Sequence, residues 1–102
     1  MRICEFLGQD VICVNLKSQT KKDVIMELIN ILIMSGKVEK KYKRTINDIL
    51  IAREELGSTA IGQGIAIPHG KSNTVKQPVC CLGVSKRGID FDALDGEVAY
   101  IF

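Results

Sequence analysis

The apolar residues of this chain are spaced in two ways, and the spacing separates helices from strands. Between residues 20 and 35, apolar side chains recur at Val24, Ile25, Leu28, Ile29, Ile31 and Leu32, with Lys22, Asp23, Glu27 and Asn30 between them. That spacing predicts a helix. Thr20 is placed to cap it, with Asp23 as the acid three positions on, and Gly36 to stop it. Met26, Ile33 and Met34 widen the stripe, so the second half is expected to be covered on several sides. A second helix is predicted with Thr45 as its cap and Asp48 at the capping-box position. Ile46, Ile49, Leu50 and Leu56 share its buried side, and Gly57 follows as the stop. Strands are predicted over 11–16, 65–67, 79–85 and 98–102, with a short extended piece over 89–91. Turns are predicted at Lys86-Arg87-Gly88 and Asp95-Gly96. Residues 1–8 read as a lead-in. Mixed strands and helices without a repeat or linker predict one α/β domain over 1–102: a small mixed β-sheet flanked by helices.

One stretch departs from these periods, residues 53–71, REELGSTAIGQGIAIPHGK. It holds four of the nine glycines and the chain's single histidine, His69. Ser58, Thr59, Gly62 and Gly64 compose a loop able to turn tightly and aim backbone N–H groups inward. The apolar run 65–67 then ends at Pro68, which has no N–H for a strand ladder. His69 is therefore expected beyond the sheet edge, with Gly70 leaving its ring unobstructed. Arg53 lies sixteen positions upstream, at the far side of the same loop. An imidazole between glycines, with a guanidinium nearby, suits a large anionic group.

Composition narrows the alternatives. A chain of 102 residues that is 46% apolar can build one core. The formal net charge of +2 is too slight to argue for nucleic acid. The basic run 37–44 carries five positive charges and one negative but a single aromatic, and reads as a solvated connection. No apolar stretch approaches the ~20 residues of a membrane span, and residues 1–5 lack a signal-peptide core. Cys4, Cys13, Cys80 and Cys81 have no CxxC spacing. They read as small hydrophobes in a reducing cytoplasm, and the chain offers too few ligands for a metal site.

The run Glu54, Ile61, Gly62 and Ile65-Ala66-Ile67-Pro68-His69-Gly70 resembles the active-site signature of the fructose/mannitol (type 2) enzyme IIA domains. These belong to the bacterial phosphoenolpyruvate-dependent sugar phosphotransferase system, and the resemblance extends over residues 7–102. It implies a mixed sheet sandwiched by helices. It implies that His69 takes a phosphoryl group from phospho-HPr and passes it to a cysteine of an enzyme IIB domain, with no cofactor or metal. Fructose is the favoured sugar, and the location is cytoplasmic. It also implies that Arg53 stabilises the phosphate. Family members continue beyond the strand that ends here at Phe102 and carry a second histidine there. The C-terminal part of the domain is thus expected to be missing, leaving an apolar end through which chains can self-associate.

The residues themselves admit this chemistry. A neutral imidazole is a nucleophile near pH 7, and phosphoryl transfer needs mainly positioning and charge neutralisation. Arg53 can grip phosphate oxygens with two N–H groups, or can pair with Glu54 or Glu55 at the helix end. Ser58 and Thr59 can donate to a phosphate, or cap the loop's own backbone. Gly62 and Gly64 are candidates for the phosphate loop, more through backbone shape than as direct ligands. Glu54 has no evident chemical role. Three competing readings are weaker or finer. A P-loop needs four residues between its glycines, and Gly64 to Gly70 spans five. A histidine phosphatase presents Arg-His-Gly, where this chain has Pro68-His69-Gly70. A regulatory IIA module, in which phospho-His69 is a signal, has the same motif.

Overall fold

A computed structural model describes residues 7–102. Most of the expected lead-in, and Cys4 with it, lies outside the described residues. A 3-10 turn, Gln9–Val11, leads into β1 (Ile12–Cys13). Two helices follow, α1 (Lys21–Met34) and α2 (Lys43–Glu55). The remaining strands are β2 (Ala60–Gly62), β3 (Ile65–Ala66), β4 (Leu82–Ile89) and β5 (Ala99–Ile101). They form one five-stranded sheet in the order β1-β4-β5-β3-β2. β1 runs parallel to β4 and β3 parallel to β5, while β4–β5 and β2–β3 are antiparallel. The mixed sheet with two packed helices bears out the expected α/β class.

The first helix follows the sequence closely. The Thr20 hydroxyl accepts from the Asp23 amide at 3.2 Å, and Gly36 leaves the helix with φ +79°. Val24, Ile25, Leu28 and Ile29 are buried and meet Ala66, Ile89, Ala99 and Phe102 from the sheet. Phe91 and Phe102 close this core as a tilted pair, their ring centroids 5.4 Å apart and their planes at 56°. The second half of α1 is less covered than expected. Ile31, Leu32 and Ile33 are half-buried, with Ile31 and Ile33 packed against the core, and Met34 is exposed.

Other expectations need correction. Helix α2 does not start at a Thr45 cap. A 3-10 turn, Lys40–Tyr42, runs straight into it, so the basic segment already has helical direction before Thr45, which is exposed. Buried Val38 anchors that segment. Leu56 is exposed and does not share the buried side of α2. The first strand pairs over Ile12–Cys13 alone, and the Leu16 amide then reaches Val84 O at 2.9 Å. The predicted turn at Lys86-Arg87-Gly88 is a bulge inside β4. Gly88 has φ +83°, and its N–H donates to the Ser85 hydroxyl at 3.1 Å. The run is irregular, as its composition suggests, but Val84 and Ile89 on either side pair with Ile101 and Ala99, so β4 carries it as a bulge and does not end there. Among the described residues, no helix is long and apolar enough to cross a membrane.

Candidate active site

The loop of the sequence is in fact a hairpin. β2 pairs with β3 through Ala60–Ala66 and Gly62–Ile65. Gln63 and Gly64 link them with φ +57° and +81°, the double positive φ of a type I′ turn. The Asp95 carboxylate pins this turn by accepting from the Gln63 amide at 3.0 Å. A side chain at Gly62 would meet the same carboxylate at 3.0 Å. The Gly64 carbonyl accepts from Tyr100 and Ile101 amides, tying the turn to β5. Both glycines therefore sit at the tip of the hairpin and shape it.

His69 belongs to the other end. Past β3, the Ile67 amide still donates to Thr59 O at 3.1 Å, so the pairing continues to the base of the hairpin. Of the expected strand only Ala66 is buried, and Ile67 is half-exposed. Pro68 ends the ladder, and His69 turns back so that Nδ1 lies 2.7 Å from the Ile67 carbonyl. A carbonyl has no proton to give, so in the neutral ring Nδ1 carries the hydrogen. Nε2 is left with its lone pair on an exposed side chain. Gly70 is needed for a reason other than an open ring. A Cβ there would stand 2.7 Å from Ile49 Cγ2 and 3.4 Å from Leu50 Cδ2. The loop thus rests directly on α2.

Arg53 lies one turn along that helix from Ile49, about 6 Å in rise. Its guanidinium donates to Gly57 O at 2.7 Å, satisfying a carbonyl at the helix end. Among the described residues, the ion pairs do not include Arg53 with Glu54 or Glu55. Ser58 and Thr59 use their hydroxyls inside the fold. Ser58 Oγ donates to Phe91 O and accepts from the Ala60 amide. Thr59, buried, donates Oγ1–H to Glu54. Thus Thr59 is brought next to the His69 segment, Arg53 is on the supporting helix, and Gly62 and Gly64 are at the opposite end of the hairpin.

The residue that sequence reasoning left without a role is Glu54. It is buried at a helix C-terminus, where the dipole disfavours a carboxylate. That mismatch is the signal the sequence did contain. Its oxygens accept from the Thr59 amide at 3.0 Å and from Lys21 Nζ at 2.8 Å. Lys21 also reaches Asp92 at 3.2 Å. Burial works to lower the Lys21 pKa, but the hydrogen bonds and charges of Glu54 and Asp92 outweigh it and hold the ammonium above its ordinary value.

Of two cavities among the described residues, one borders the His69 segment. This one, of about 590 Å³, has Pro68 and His69 on its rim and Leu28, Val38, Leu50 and Val75 among its walls. The other, about 540 Å³, is lined by Lys17, Ser18, Lys86 and Arg87 and holds none of the candidate residues. Among the described residues, no cluster of three or more His, Cys, Asp or Glu is placed to hold a metal.

Over residues 5–102 the chain matches the family model described as Phosphoenolpyruvate-dependent sugar phosphotransferase system, EIIA 2, and it belongs to that family. It is 38% identical to the PTS system fructose-specific EIIABC component of Bacillus subtilis, over 99% of this chain and 16% of that protein. Its fold superposes on the nitrogen regulatory protein IIA-Ntr of Neisseria meningitidis with a TM-score of 0.86 and 32% identity, over 97% of this chain and 66% of that one. It superposes on the IIA mannitol protein of Escherichia coli with a TM-score of 0.77 and 26% identity, over 92% of this chain and 66% of that one. The chain therefore spans less than two thirds of the length of these relatives.

Proposed function

We propose that this chain is a phosphocarrier whose His69 Nε2 accepts a phosphoryl group from the phosphohistidine of HPr and delivers it to a cysteine of an enzyme IIB domain. The observation that carries the reading is the fixed Nδ1–H to Ile67 carbonyl bond, which leaves Nε2 exposed with its lone pair. In the forward step that lone pair attacks phosphorus. The donor's N–P bond breaks, and the donor imidazole leaves with the electron pair. The His69 ring gains positive charge, and the Ile67 carbonyl, already bonded to Nδ1–H, stabilises it. In the second step a thiolate sulfur attacks phosphorus, and the His69 imidazole leaves neutral. The phosphoryl group arrives activated, so neither nucleotide nor metal enters the scheme.

Arg53 is the group proposed to neutralise the phosphate. One N–H bond to Gly57 O still leaves most of its five donors for oxygens. The His69 loop rests on the same helix one turn away, which supports this role. Ser58 and Thr59 serve the site by shaping its base. The cycle belongs in the cytoplasm and to sugar uptake, with fructose favoured by the Bacillus relative. The likeness to IIA-Ntr supports a second reading, in which phospho-His69 is a regulatory signal.

Reconstitution tests the first claim. With phosphoenolpyruvate, enzyme I and HPr, the chain is expected to gain one acid-labile phosphoryl group by intact mass, and His69→Ala none. Charged HPr with an unlabelled chain would overturn the carrier reading. Adding a IIB domain then separates the two roles: transfer to its cysteine supports sugar uptake, while retention on His69 favours the signal.

A further inference from the structure

Glu54 does not touch the reacting atoms, yet it stands at the head of a short chain of hydrogen bonds that ends on the ring that bears them. Its carboxylate accepts the Thr59 amide at 3.0 Å and the Thr59 hydroxyl. The Thr59 carbonyl accepts the Ile67 amide at 3.1 Å. The Ile67 carbonyl accepts His69 Nδ1–H at 2.7 Å. Both sides of Thr59 are thereby fixed: its N–H by Glu54, its C=O by Ile67. Both sides of Ile67 are fixed in turn, by Thr59 and by the ring.

We propose that Glu54 is the positioning residue that sets the tautomer and aim of His69, acting through Thr59 and Ile67. The inference rests on the phosphocarrier reading only for its functional consequence.

The carboxylate is well held for this work. Its side chain is 4% exposed and its second oxygen is paired with Lys21 Nζ at 2.8 Å. Lys21 is itself braced by Asp92 at 3.2 Å, by the Phe91 carbonyl at 3.5 Å and by the Phe91 ring, whose centroid is 4.9 Å away. Ser58 donates to that same carbonyl. The start of α1 and the entry to β2 therefore meet the Glu54 carboxylate at the end of α2, and the segment after β4 braces them through Lys21 and Ser58. Two of those four, α2 and the hairpin, also hold the His69 loop.

Moving any link tilts the Ile67 peptide and with it the acceptor that selects Nδ1–H. The alternative tautomer puts the proton on Nε2 and removes the lone pair that attacks phosphorus. A ring misplaced by about 1 Å can lose rate by a factor on the order of 100.

The test uses the whole chain with Glu54→Gln, Thr59→Val and, as rescue, Thr59→Ser. Thr59→Val keeps side-chain volume and the backbone N–H, and so guards against the case in which Glu54→Gln does not fold. Long-range 1H–15N NMR of His69 reads which ring nitrogen carries the proton, independent of any reaction. The wild type and Thr59→Ser are expected to hold the Nδ1–H form. Glu54→Gln and Thr59→Val are expected to shift toward Nε2–H and to take phosphoryl from phospho-HPr at least tenfold more slowly, with KM for phospho-HPr changed less than twofold. Folded variants that keep the wild-type tautomer and rate would overturn the proposal, as would a wild type already in the Nε2–H form. If no form of the chain is phosphorylated, the carrier reading fails, and the tautomer shift alone decides the positioning claim.

Discussion

Replacing Gly70 by alanine tests how the His69 loop is seated. The added Cβ would lie 2.7 Å from Ile49 Cγ2 and 3.4 Å from Leu50 Cδ2. Carbon atoms prefer about 3.5–4.0 Å, so the first contact is short by about 1 Å. Ile49 is β-branched on a helix and has little rotamer freedom to retreat. Either the loop lifts off α2 or the helix shifts, and overpacking of this kind costs about 1–3 kcal/mol. For a domain of this size each kcal/mol lowers Tm by roughly 4–8 °C. Urea unfolding followed by circular dichroism is the assay, with an unchanged m-value confirming that stability alone has moved. Ile49→Ala removes the obstructing methyl at its own cost. Combined with Gly70→Ala, it should give a double mutant less destabilised than the sum by about 1 kcal/mol or more. A Gly70→Ala protein within about 0.5 kcal/mol of wild type, or strict additivity with Ile49→Ala, would refute the seating of the loop on α2.

Two predictions concern titration. Burial, with Cys80 and Cys13 adding to it, pushes the Cys81 thiol up to about 12. The protonated form is favoured in the fold, so its contribution to stability is intact below the unfolded value near 9.0 and is lost as pH rises toward 12. Cys81→Ala should flatten the fall in urea midpoint above pH 9, and native Cys81 should react with Ellman's reagent more slowly than unfolded Cys81; equal rates would contradict this. Burial works against ionising Glu27, but the Ser18 hydroxyl and the Lys17 and Ser18 amides outweigh it and hold the carboxyl below its ordinary value. Its stabilisation is therefore present above the ordinary carboxylate range and lost as pH falls through the depressed value. Glu27→Gln should remove part of the acid-side slope of stability, and an unchanged slope would contradict the assignment.

Much of this architecture was legible because its causes are local. Thr20, the periodic run after it and Gly36 specify α1 without help from the rest of the chain. Pro68 and Gly70 mark His69 for the same reason. What could not be read depends on partners distant in sequence. Gly62 and Gly64 suggested a phosphate loop, but β3 and Asp95 make them the tip of a hairpin. Lys86-Arg87-Gly88 has turn composition, but Val84 and Ile89 on either side pair with β5, so it is a bulge within one strand and not a link between two. Gly70 looked like open space beside a ring, whereas α2 presses against it. Glu54 shows the limit best: the carboxylate is plain in the sequence, but Thr59, Lys21 and Asp92 come from three separate segments.

The central claim is that His69 carries phosphate on Nε2 because Nδ1 is held by Ile67. Phosphorylating 15N-histidine-labelled chain with phospho-HPr and recording 31P–15N coupling reads the bonded nitrogen directly. A single phosphohistidine at Nε2 with Nδ1 still protonated is expected. A phosphoryl group on Nδ1, or on another side chain, would contradict it.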